Sequence, residues 1–91
     1  MSTMTVFLKI DEGSVASGLQ EAVCGLDGAA GEVVLDFSTV RRIDSGSLRA
    51  LEDLIRAAEE KALKITLRGV NVDVYKVLKL LRLAQRLSFL N

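Results

Sequence analysis

The spacing of apolar residues switches repeatedly between two periods along this chain, and few folds accommodate that pattern. Met4, Val6, Leu8 and Ile10 alternate with Thr5, Phe7 and Lys9. That period of two marks a strand. Asp11-Glu12-Gly13 breaks it. Ser14 then stands as N-cap before Val15, Leu19, Ala22, Val23 and Leu26, which recur at helical spacing. Gly25, Gly28 and Gly31 punctuate the end of this helix. Glu32 to Phe37 is a short apolar run, expected to be a central strand covered on both faces. After a connector from Ser38 to Ile43, the residues Leu48, Leu51, Ile55, Ala58 and Ala62, with Leu54 beside them, predict a helix from Ser47 to Ala62. Lys64 to Arg68 reads as a strand closed by Gly69. Asn71 caps a third helix carrying Val74, Val77, Leu78 and Leu81, and Leu87 to Leu90 reads as a short last strand.

The order β-α-β-α-β-α-β implies an α/β fold: a four-stranded, mostly parallel sheet with right-handed crossovers and about three helices, mainly on one face. The 91 residues are expected to form one domain. With 49% hydrophobic and 26% charged residues, the composition suits a packed core.

Several chemistries are excluded by residues the chain lacks. There is no histidine, so the usual general base and the His-dependent nucleophile systems are missing. Cys24 is the single cysteine, so no internal disulfide can form. It is expected to be a small buried residue of the first helix. No cofactor fingerprint, phosphate loop or metal-ligand cluster is visible, and an enzyme is not expected.

Twelve basic residues balance twelve acidic ones, which speaks against a nucleic-acid partner. The charges are nonetheless segregated. Residues 11–60 hold eleven acids against four bases, and residues 61–91 hold seven bases against one acid, Asp73. Tyr75, Lys76, Lys79, Arg82 and Arg86 give the third helix a basic flank, either a solvated face or a contact for acidic protein or lipid headgroups. The start of the chain lacks the basic and apolar regions of a signal peptide, and no run is long enough for a membrane span. The expected location is the cytoplasm.

Asp44-Ser45-Gly46-Ser47 lies between a strand and a helix, where parallel α/β folds place their sites. Its free N–H groups and helix dipole favour an anion, so a phosphorylated serine suits the position, but Asp and Ser before a helix are far more often an ordinary N-cap than a switch. Arg41 and Arg42 can contact an acidic partner or form a solvated turn. Asp36 and Asp44 read as a strand-end residue and a helix cap, with a carboxylate pair as the alternative.

The stretch Val-Val-Leu-Asp-Phe-Ser-Thr-Val-Arg-Arg-Ile-Asp-Ser-Gly-Ser-Leu-Arg-Ala-Leu, residues 33–51, resembles the signature of the STAS domain family. That family includes bacterial anti-sigma factor antagonists, cytoplasmic tails of sulfate transporters and subunits of lipid-transport ABC systems. The resemblance continues through Lys64 to Asn71 and through Val74 to Leu83. It implies a protein-interaction module that binds an anti-sigma factor kinase, or another regulatory protein, as a monomer or weak dimer. The implied partner surface is Ser38, Arg41, Arg42, Asp44, Ser45, Gly46, Ser47 and Arg49. Two departures qualify the implication. Gly46 occupies the position at which the antagonists carry their phosphoacceptor, and glycine has no hydroxyl, which leaves Ser47 and Ser45 as acceptor candidates. Only one strand precedes the first helix, where members typically begin with a hairpin. The alternative is therefore a phosphorylation-independent STAS subunit of a transporter or sensory complex.

Overall fold

In the computed structural model, which describes residues 5–26 and 31–90, four strands lie side by side in chain order: β1 (Thr5–Lys9), β2 (Glu32–Asp36), β3 (Lys64–Arg68) and β4 (Ser88–Leu90). All three pairings are parallel. The register aligns Leu8, Leu35, Leu67 and Phe89 in one row and Val6, Val33 and Ile65 in the next. Three helices connect the strands: α1 (Val15–Gly25), α2 (Ser45–Glu60) and α3 (Val72–Leu80). Short 3-10 turns at Glu12–Ser14 and Ala84–Arg86 lead into α1 and β4.

Sequential parallel neighbours joined by right-handed crossovers return the chain over the same side each time. The core accordingly sits on one face. Val33, Leu35, Ile65 and Leu67 from the sheet meet Val15, Leu19 and Ala22 of α1, Leu51, Leu54, Ile55 and Ala58 of α2, and Val74 and Leu78 of α3. Each fully buried leucine contributes about 1.5–3 kcal/mol.

The expectation of a covered central strand holds for Val33, Val34 and Leu35, which are all buried. The second face is roofed by side chains of the sheet itself. The Thr66 hydroxyl donates to the Glu32 carboxylate at 2.7 Å. The Arg68 guanidinium reaches across β2 to within 6.0 Å of the Phe7 ring centroid.

Several boundaries differ from the sequence reading. Met4 and Gly28 lie outside the described residues. Cys24 is exposed, not buried. It stands two residues, about 200° of helix, past buried Ala22, and so turns away from the sheet. The second helix ends at Glu60, and Ala62 is exposed. The third ends at Leu80, and Leu81 is half exposed.

Both helix ends are closed by a residue other than glycine in the left-handed region. Ala62 has φ 56°, and Arg82 has φ 61°. Around each, crossed bonds complete the turn: Leu63 N–H to Ala58 O at 2.8 Å, and Leu83 N–H to Leu78 O at 2.9 Å. A Cβ is unfavourable in that conformation. Ala62→Gly is therefore expected to stabilise the fold by about 1 kcal/mol, raising the melting temperature by about 4–8 °C. A thermal melt reads this directly, and a lowered midpoint would contradict it.

Candidate functional site

The segment from Phe37 to Asp44 leaves the C-terminal end of β2 and delivers the chain to α2. Its backbone is tied down from three sides. Phe37 N–H donates to Arg68 O at 2.8 Å, at the end of β3. The Thr39 hydroxyl donates to Ile10 O at 3.2 Å, just past the end of β1. The Asn71 amide donates to Val40 O at 3.3 Å and to Arg41 O at 3.0 Å. Asn71 has a second duty: its carbonyl oxygen accepts from Val74 N–H at 2.8 Å and caps α3. One side chain thus fixes both the start of α3 and the middle of the connector. The completely buried side chains of Phe37 and Val40 anchor this segment in the core.

Asp36 and Asp44 close the two ends of the segment. An Asp36 carboxylate oxygen accepts from Ser38 N–H at 2.9 Å, and an Asp44 oxygen accepts from Ser47 N–H at 2.7 Å. The N–H and hydroxyl of Ser38 hold the Asp36 carboxyl below its ordinary pKa, helped by the charges of Arg68 and Lys9. The N–H and hydroxyl of Ser47 do the same for Asp44. Both aspartates serve turn and cap, and among the described residues no three acidic, cysteine or histidine side chains gather to hold a metal.

Because the folded-state pKa of Asp44 is lowered, its stabilising contribution is full at neutral pH. The contribution is lost as pH falls below the ordinary carboxylate value of 3.8. Asp44→Asn keeps an oxygen to cap the helix but cannot ionise. At neutral pH this variant is expected to melt below the wild type, and the gap is expected to close under acid. A gap that does not change with pH would show that the charge plays no part.

Helix phase sorts the candidate residues. Asp44, Ser45, Gly46 and Arg49 are exposed, as are Ser38, Arg41 and Arg42. Ser47 is not: it is only 5% exposed. It lies four residues before Leu51 and seven before Leu54, on the stripe that α2 turns to the core. This corrects the expectation of Ser47 as a surface residue open to a kinase or a partner. Its hydroxyl is already committed to the Asp44 carboxylate. Of the two acceptor candidates, Ser45 alone stands in solvent.

Gly46, on the exposed first turn, is not required as glycine by the packing. A Cβ there would meet only Asp44 Oδ1, at an ordinary 3.7 Å.

Beside the corner, a cleft of about 410 Å³ runs between the starts of α1 and α2, where Glu12, Ser14 and Ser17 face Arg42, Asp44 and Ser47. Glu12 and Ser14 belong to the 3-10 turn before α1, and Ser17 to its first turn. The cleft follows from the strand order, since helices that follow neighbouring parallel strands begin side by side.

A family model described as "Mlab, STAS domain" matches residues 12–90. The chain belongs to the STAS domain family. It is also similar to the intermembrane phospholipid transport system binding protein MlaB of Escherichia coli K12, with 39% identity over 64 residues. That alignment covers 70% of this chain and 60% of the relative, so the match spans less than two thirds of the relative's length. The same values hold for MlaB of Shigella flexneri.

Among solved structures, this STAS chain superposes on a putative anti-sigma factor antagonist from Thermotoga maritima with a TM-score of 0.76. That match has 22% identity and covers 96% of this chain and 79% of the other. A sulfate transporter family protein from Wolinella succinogenes gives a TM-score of 0.78 at 20% identity, covering 93% and 75%. These two likenesses establish the fold.

Proposed function

We propose that this chain is a constitutive STAS subunit of a lipid-transport complex on the cytoplasmic side of a membrane. In this reading it docks on a partner subunit through Ser38, Arg41, Arg42, the exposed part of the Asp44–Gly46 turn, and Arg49. The supporting observation is the 39% identity with MlaB across 64 residues. The chemistry of the corner agrees: Gly46 has no hydroxyl to phosphorylate, and Ser47 is buried. A connector held by Asn71, Thr39 and Phe37 presents its surface with little entropy left to lose on binding.

The anti-sigma antagonist reading keeps one supporting feature, the exposed hydroxyl of Ser45 beside the docking residues. Phosphate there would add negative charge next to Asp44 and oppose an acidic partner. Co-expression with the products of neighbouring genes, followed by pull-down and intact-mass measurement, separates the two readings. The transport reading expects a transporter ATPase or permease to co-purify with an unmodified chain. Co-purification of a serine kinase, with phosphate on Ser45, would overturn it in favour of the switch.

A further inference from the structure

At the C-terminal end of α3, two leucines point into solvent. Leu80 is 83% exposed and Leu81 is 49% exposed. Cations surround them. Lys76 lies one turn before Leu80, Lys79 immediately before it, and Arg82 in the turn that follows. Lys76, Lys79, Leu80 and Arg82 line one shallow depression of about 490 Å³. On the other side, Lys79 and Arg82 share a cleft of about 470 Å³ with Tyr75, Gln85 and Phe89. The Tyr75 and Phe89 rings meet edge to face there, 5.1 Å between centroids.

Asp73, one turn before Lys76 in the first turn of α3, is the nearest acid in the sequence. Residues 74–91 contain four bases and no Asp or Glu. Arg86 is the exception in charge balance, because it is paired with Glu59 of α2. Among the described residues, Lys76, Lys79 and Arg82 have no ion-pair partner.

We propose that this basic, leucine-tipped end of α3 is a docking point for the surface of an anionic phospholipid bilayer. The leucines protrude, so they need a soft surface more than a matching pocket. Lipid headgroups and the first acyl carbons provide one. Lysine and arginine stems are long enough to lie alongside the leucines while their charges stay at the phosphate level. Each cation near such a surface strengthens binding about fivefold, so three together contribute about a hundredfold. The contact is weak alone and suits a chain held at the membrane by a second interaction. It lies on α3, and it stands whether or not the connector docks on a transporter.

The test is co-sedimentation of the full 91-residue chain with phosphatidylglycerol–phosphatidylcholine vesicles, against phosphatidylcholine vesicles alone. Binding is expected to the first and to fade with added salt. The triple variant Lys76→Ala, Lys79→Ala, Arg82→Gly is expected to lose about a hundredfold in binding. Its fold should be intact, since all three residues are exposed and glycine suits the positive φ at Arg82. Leu80→Ser with Leu81→Ser is expected to weaken binding at unchanged salt dependence. Equal sedimentation with both vesicle types, or an unaffected triple variant, would overturn the proposal. Loss of a purified protein partner by the triple variant, without any vesicle binding by the wild type, would also overturn it and give the face to an acidic protein.

Discussion

Phe37→Ala is expected to lower stability by about 3–5 kcal/mol, a large share of the roughly 5–15 kcal/mol that holds a domain of this kind together. Phe37 has no exposed surface and belongs to the core shared by sheet and helices. It is also the first residue of the connector. Its N–H is held by Arg68 O, and its carbonyl accepts from Val40 N–H at 2.9 Å. Removing the ring leaves a cavity directly beneath the connector. Urea denaturation should show a lower midpoint with little change in slope. A loss below about 1 kcal/mol would mean that the site collapses around the smaller residue, and that the connector is not anchored as described.

Gly69→Ala carries the second large effect, expected at about 2–4 kcal/mol. Gly69 has φ +72°, where a side chain is strained, and a Cβ there would lie 2.9 Å from Ser38 Cβ and 3.0 Å from Ser38 Cα. The first of these effects opposes any substitution. The second forces backbone to move, because the contact includes Ser38 Cα and not merely a flexible tip. The connector is already fixed through Thr39 and Asn71, so it has little freedom to retreat. The variant should therefore unfold more easily and bind the partner less well, since Ser38 belongs to the proposed surface. Ser38→Gly in the same chain removes one of the clashing atoms and should restore part of the stability. An undiminished melting temperature in Gly69→Ala would show that β3 and the connector are not in the close contact described.

The sheet and helices were legible because each segment carries its own period. Alternation gave β1, the continuous apolar run gave β2, and spacings of three and four gave α2. Asp44 and Asn71 were legible as caps because they stand immediately before helical apolar spacing, and both accept the expected N–H. Ser47 precedes Leu51 by four residues, a spacing that puts it on the buried stripe of α2, while its hydroxyl is the kind of group expected at a surface. Cys24 misled for the opposite reason: its residue type suggested burial, while its position on α1 faces outward.

Contacts between distant segments left little trace in the sequence. Nothing local marks Asn71 as a clamp on Val40 and Arg41, or Gly69 as the neighbour of Ser38. Nor do Ala62 and Arg82 announce the left-handed turns they adopt, because helix ends of that kind are usually read from a glycine. The two helix caps were thus readable from the sequence, and the contacts that hold the connector's backbone were not.

Docking through the outward-facing corner at Gly46 is tested by the affinity of Gly46→Arg for the co-purified partner. Gly46 is exposed and a Cβ there has room, so the variant should melt at or above the wild-type temperature. Its affinity should fall roughly tenfold or more as the long side chain blocks the interface. Unchanged affinity in a normally folded variant would contradict recognition at this corner.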